Sequence, residues 1–193
     1  MAYARAVLTA QQIAPETARP LSRPEYDHLV ALGAFDDERV ELLRGVIVRM
    51  SPHGPAHDAP LDRLTELLVL ALGARAKVRV QSAFVAANDS QPEPDLCVVP
   101  RRDYDAAHPD QAFLIIEVAA SSLAKDRGVK SPLYAESGVP EYWIVNISER
   151  SIEVHTQPDA GVYRGVRAYR NGESIPLQVF PDVTVNVDAV LLP

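Results

Sequence analysis

Apolar side chains recur along this chain in two periods, and each change of period marks out an element. Between about Ala56 and Leu72, the residues Leu61, Leu64, Leu67, Leu68, Ala71 and Leu72 share one stripe of a helical repeat, and Pro60 is tolerated in the opening turn. Ser22 and Glu25 make a capping-box pattern with Pro24 between them, so a short helix carrying Tyr26, Leu29, Val30 and Leu32 is expected up to Gly33. Val40 to Met50 reads as two short strands about the turn pair Arg44-Gly45, and Val78 to Ala86 alternates like a strand. Pro92-Glu93-Pro94 is stiff and extended and leads into Leu96-Cys97-Val98-Val99, which Pro100 stops.

The continuous run Phe113-Leu114-Ile115-Ile116, within Ala112 to Val118, predicts a strand buried on both faces. Ser121-Ser122 can cap a helix from about Lys125 to Ser137, and Gly138 closes it. Glu141-Tyr142-Trp143-Ile144-Val145 is the next strand. Shorter strands are expected at Ile152 to Thr156, Val162 to Tyr169, Ile175 to Val179 and Val183 to Val187. The strand, helix, strand unit at 112 to 147, set among so many strands, predicts an α/β (α+β) fold built on a mixed sheet.

The 193 residues suit one domain over 21–193, behind residues 1–20, which show no periodicity and are expected to form a flexible arm. With 47% hydrophobic and 23% charged residues, disorder is excluded as a class. No apolar stretch approaches the ~18 residues that span a bilayer. Ala6-Val7-Leu8 is too short for a secretory signal, and the lone Cys97 fits a reducing compartment, so a cytoplasmic protein without a membrane partner is expected. The formal charge of −7 excludes a protein that holds nucleic acid by a general positive field. A polyanion must be met locally, by a metal ion or a small basic patch.

Two carboxylates interrupt apolar strands. Asp95 opens one, and Glu117 sits near the end of another. Asp95 also reads as a turn residue after proline, and Glu117 as half of a structural ion pair. On adjacent strands the two would meet, an arrangement that suits hard cations such as Mg²⁺. Asp126 and Lys130 are four apart on the following helix. They read either as a solvated ion pair or as a lysine turned back to the carboxylates. Glu41 in a strand and His57 at a helix start are further candidates, each equally readable as a surface residue. No zinc signature stands out beyond a weak His53/His57 pair, and no glycine-rich phosphate loop or Ser or Cys nucleophile motif occurs.

Pro94-Asp95, 21 intervening residues and then Glu117-Val118-Ala119 resemble the PD-(D/E)XK nuclease superfamily. The stretch Glu41 to Pro52 and His57 bring the likeness closer. So do Pro94 to Val99, Ile116-Glu117-Val118, Asp126, Lys130, Tyr134 and Gly138 to Val145: together, over roughly residues 22–190, they resemble the Uma-two family of restriction endonuclease-like proteins. The resemblance implies a restriction-endonuclease-like core, a central mixed sheet flanked by helices with extra hairpins. It implies Asp95, Glu117 and the Val118 main-chain carbonyl as ligands of Mg²⁺ or Mn²⁺. The superfamily lysine two residues after the glutamate is Ala119 here, and Lys130 matches the lysine of the Uma-two pattern. The expected activity is metal-dependent hydrolysis of DNA phosphodiester bonds, with Lys130 orienting water or steadying phosphate charge. Glu41 would add a ligand or order a water, and His57 would touch substrate. A homodimer is expected for cutting both strands. The alternative is a catalytically inactive module of the same fold that binds nucleic acid or a protein partner.

Overall fold

Every side chain from Leu114 to Ala119 is buried, as an unbroken apolar run predicts, and this strand lies inside a six-stranded mixed sheet. The computed structural model describes residues 19–192, so residues 1–18 of the expected arm lie outside the described residues. In chain order the elements begin with α1 (Arg23–Ala31), β1 (Val40–Leu43), β2 (Val46–Arg49), α2 (Pro55–Leu72), β3 (Lys77–Val80), β4 (Leu96–Val99) and β5 (Leu114–Ala119). A continuous helical stretch follows: α3 (Leu123–Lys125), a π turn (Asp126–Lys130) and α4 (Ser131–Glu136). The chain ends with β6 (Glu141–Asn146), β7 (Ser151–Asp159), β8 (Val162–Tyr169), β9 (Ser174–Pro176), β10 (Thr184–Asn186) and α5 (Val187–Val190).

The sheet runs β3-β4-β5-β6-β7-β8, antiparallel throughout except for the parallel pair β5–β6. A parallel pair needs a crossover, and the helical stretch from Leu123 to Glu136 supplies it. Leu114, Ile116 and Val118 point to one face, where α2 lays down Leu61, Leu64, Leu68 and Leu72. Each such leucine contributes on the order of 1.5–3 kcal/mol of transfer free energy. Ile115 and Ala119 point to the other face, against Tyr134, Ala135 and Tyr142. Glu117, the one charged residue in β5, lies on that second face by alternation. Among the described residues no helix is long and apolar enough to cross a membrane.

The hairpin β1–β2 stands apart from this sheet and turns at Arg44 and Gly45, with φ of 52° and 74°, both left-handed as a two-residue hairpin turn requires. Tyr26 of α1 packs with Val40 and Leu42 and donates its hydroxyl to the Val40 carbonyl at 3.1 Å. Leu42 and Gln91 exchange main-chain hydrogen bonds of 3.3 and 2.8 Å, which pins the hairpin to the segment ahead of β4.

Four local expectations change. The strand expected over Val78 to Ala86 spans only Lys77–Val80, because Gln81 turns the chain at φ 44°. Phe84 and Val85 then give their N–H groups to the Pro92 and Pro109 carbonyls instead of to a ladder. The helix expected over Lys125 to Ser137 is interrupted by the π turn. Pro132, near the start of α4, has no N–H to give, and the wider turn before it lets the helix pass without that bond. Ser122 offers its carbonyl rather than its side chain to the N–H groups of Lys125 and Asp126, at 2.8 and 3.0 Å. Further on, the strands expected at 175–179 and 183–187 shorten to β9 and β10, and Val187 starts α5 under an Asn186 cap.

The turn of the hairpin leaves no room for a side chain. A Cβ on Gly45 would lie 2.1 Å from the Pro20 Cβ, at a φ of 74°. Gly45→Ala is expected to lower stability by about 1–3 kcal/mol, read from the urea midpoint. An unchanged midpoint would mean that the Pro20 segment moves aside at no cost.

Candidate active site

The antiparallel register of β4 and β5 sets Leu96 opposite Ile116, so Asp95, one residue before β4, comes to lie across from Glu117. Residues directly opposed share a face, and two like charges there repel unless a cation joins them. Lys130 of the π turn lies 2.8 Å from Glu117 Oε1 and 3.0 Å from Glu41 Oε2. Tyr134, about one turn further on, donates its hydroxyl to Glu117 Oε1 at 2.9 Å. Glu41, on β1, also receives Lys125 Nζ at 2.8 Å on Oε1 and the Glu93 N–H at 3.3 Å on Oε2. Oδ2 of Asp95 accepts the Val118 N–H at 2.8 Å and faces His57 Nε2 at 3.2 Å.

Asp95, Glu117, Val118, His57, Asp126 and Lys130 line a cavity of about 350 Å³. Asp95, Glu117, Lys130, Glu41 and His57 are thus brought together. Glu41 is 0% exposed and His57 7%, so neither is the surface residue that its local sequence also allowed. Lys130 is 2% exposed, and its ion pairs go to Glu41 and Glu117 rather than to Asp126. The helical ion-pair reading of Asp126 and Lys130 is replaced. Sequence reasoning gave Lys125 no role, and gave Asp126 and Tyr134 none in the site beyond their part in the family likeness. Lys125 looks like any helix-surface lysine, and its partner is 84 positions away. Asp126 is 1% exposed, with Ser122 donating to its Oδ2 and its Oδ1 buried without a partner.

Burial governs the ionisation of the cluster. It pushes Glu117 up to about 8, with Asp95, Asp126 and Glu41 adding to the effect against the opposing pull of Lys130. Burial raises Asp126 as well. Against the same penalty, Lys130 and Lys125 hold Glu41 below the usual carboxylate range. His57, the Val118 N–H and Lys130 do so for Asp95. Burial opposes the charge of Lys130, but Glu117 and Glu41 outweigh it and keep the ammonium protonated.

Four carboxylates therefore share two ammonium groups, and deprotonating Glu117 and Asp126 calls for more positive charge. Asp95 Oδ1 and Glu117 Oε2 have no hydrogen-bond partner among the described residues. The Val118 N–H is spent on Asp95, and a strand residue's N–H and carbonyl point the same way, so the carbonyl faces that gap. Hard oxygen donors around a deficit of positive charge fit Mg²⁺ or Mn²⁺.

The Uma2 family model, described as "Putative restriction endonuclease", matches residues 23–188, from the start of α1 into α5. The chain belongs to the Uma2 family. One solved structure, described as a putative nuclease belonging to DUF820 from Anabaena variabilis ATCC 29413, is similar with a TM-score of 0.71 at 14% identity. The likeness covers 89% of this chain and 98% of that one, and at this identity it is a likeness of fold. No curated protein matches the chain. The matched Uma2 span contains every residue of the cluster. Ala119, where the PD-(D/E)XK resemblance led a lysine to be expected, offers no charge, and an ammonium reaches Glu117 from the π turn instead.

Removing Lys130 leaves Glu41 and Glu117 short of a buried counter-charge. Lys130→Met is expected to cost about 3–5 kcal/mol in urea unfolding. Arg164→Ala, which breaks an exposed pair with Asp159, should leave the midpoint in place. Equal midpoints in both variants would contradict the buried pairing.

Proposed function

We propose that this Uma2 protein is a Mg²⁺-dependent endonuclease, with Mn²⁺ able to substitute, that hydrolyses DNA phosphodiester bonds. The observation that carries the reading is the opposed Asp95–Glu117 pair with the Lys130 ammonium buried against it. The family description supports nucleic-acid hydrolysis, and a local basic patch supports a polyanion. Lys77 and Arg79 on β3 lie opposite Val99 and Cys97, hence on the face that Asp95 shares two residues on. Their charged ends sit 5.7 and 5.2 Å from the Tyr104 ring, with Arg102 at 5.1 Å. Lys77 and Arg79 are half-buried beside Tyr104, and neither pairs with a carboxylate among the described residues, which leaves their charge for phosphate.

Asp95, Glu117 and the Val118 carbonyl would hold the cation. When bound, it polarises the scissile phosphate and lowers the pKa of the attacking water. Lys130 keeps its proton beside those carboxylates and offers N–H donors to developing phosphate charge. Both oxygens of Glu41 are already committed to Lys125 and Lys130, so it acts as a positioning residue that holds the ammoniums in place. His57 orients Asp95 through Nε2 and lines the cavity where substrate would enter. Cutting both strands of a duplex calls for two such sites, and a two-fold homodimer completes the proposal. The buried, unpaired Cys97 supports a cytoplasmic setting.

Asp95→Asn preserves shape while removing a ligand charge. Nicking of supercoiled plasmid in Mg²⁺ is expected to fall by roughly 10²-fold or more, with the fold kept by circular dichroism. Equal nicking by the variant, or no Mg²⁺-dependent nicking by the parent, would overturn the reading.

A further inference from the structure

The segment Ser51-Pro52-His53-Gly54-Pro55 ends the β1–β2 hairpin and starts α2, and it lays one histidine on another. The His53 and His57 rings stack with centroids 3.8 Å apart at 25°. One nitrogen of each ring and one Asp58 carboxylate oxygen all lie within 4.8 Å of one another. Each ring is already held by one nitrogen. Nε2 of His57 is 3.2 Å from Asp95 Oδ2, and Nδ1 of His53 is 3.0 Å from the Gln81 side-chain amide. What remains is Nε2 of His53 and Nδ1 of His57, the latter 3.3 Å from Asp58 Oδ1.

An N–H on Nε2 of His57, donated to Asp95, leaves a lone pair on Nδ1, and that lone pair faces a carboxylate oxygen. Two acceptors at that distance repel, so a positive centre belongs between them, either a second ring proton or a metal ion. An imidazole whose other N–H is held by a carboxylate is the usual way a protein aims histidine at a metal. Two imidazoles and one carboxylate suit borderline transition ions, whereas Mg²⁺ prefers oxygen ligands and retained water.

We propose that His53, His57 and Asp58 form a second cation site, for an ion of the Zn²⁺ or Co²⁺ class, at the edge of the active-site cavity. His53 and His57 line that cavity, so the ion's remaining position faces the same space. Asp95 stands behind His57 here and beside Glu117 in the oxygen site, which makes it the link between the two. The inference rests on these three side chains and does not depend on the nuclease reading.

Co²⁺ alone is the probe, added to the metal-free full chain with Mg²⁺ in large excess to fill the oxygen site, and followed by visible d–d absorption. One Co²⁺ per chain is expected. His53→Ala should weaken it roughly tenfold or more, while Glu117→Gln leaves it unchanged. Co²⁺ binding that survives His53→Ala intact, or that is lost only in Glu117→Gln, would put the ion among the carboxylates and overturn the proposal. So would the absence of Co²⁺ binding by the parent. Failure of the nuclease reading would show separately, as plasmid left intact in Mg²⁺.

Discussion

The Lys130 ammonium is 2% exposed and sits within 3.0 Å of two carboxylates, and elements far apart in sequence must meet for that to be stable. Taking such a charge out of water costs several kcal/mol before any pairing, so its partners must already be fixed when it arrives. Glu117 is fixed by the central sheet. Glu41 is fixed by a hairpin outside that sheet, and this explains how firmly so small an element is held. Tyr26 lies beneath it, Gln91 bonds to its backbone, and Gly45 leaves room for Pro20 against its turn. The hairpin works as a clamp on two lysines.

The same demand accounts for the irregular helix of the crossover. Lys130 and Tyr134 must both reach Glu117, and Lys125 must reach Glu41, all from one helical stretch. The π turn ending at Lys130 lies where these requirements converge, and widened turns of this kind gather at functional sites. The cluster breaks the ordinary rules of a core: four carboxylates, two ammoniums, a buried carboxylate oxygen on Asp126 without a partner, and a glutamate pushed up to about 8. Local rule-breaking inside an otherwise consistent fold is where chemistry is expected.

Much of this was legible in the residue pattern. β5 announced itself by an apolar run too continuous for a surface strand, and Glu117 stood out because it ended that run. Asp95 was visible as a carboxylate delivered by prolines to the head of an apolar strand. Glu41 and His57 carried no such mark: each was a candidate that read equally well as a surface residue until the likeness to the Uma-two pattern added weight. What stayed hidden depends on distant partners. The strand expected past Val80 stops where Gln81 turns the chain, and the Val85 N–H then finds the Pro109 carbonyl, which no local period encodes. Lys125 and Asp126 look like solvated helix charges until the hairpin and the sheet close over them. His53 gains a meaning only when α2 stacks His57 upon it and Gln81 takes its other side.

In the proposed function, the negative surplus at the end of β4 and β5 holds a divalent cation between Asp95 and Glu117. Crystals soaked in Mn²⁺, with data collected at a wavelength where manganese scatters anomalously, test it most directly. An anomalous peak is expected within coordinating distance of Asp95 Oδ1, Glu117 Oε2 and the Val118 carbonyl. Well-ordered crystals in which that position stays empty at millimolar Mn²⁺ would contradict it.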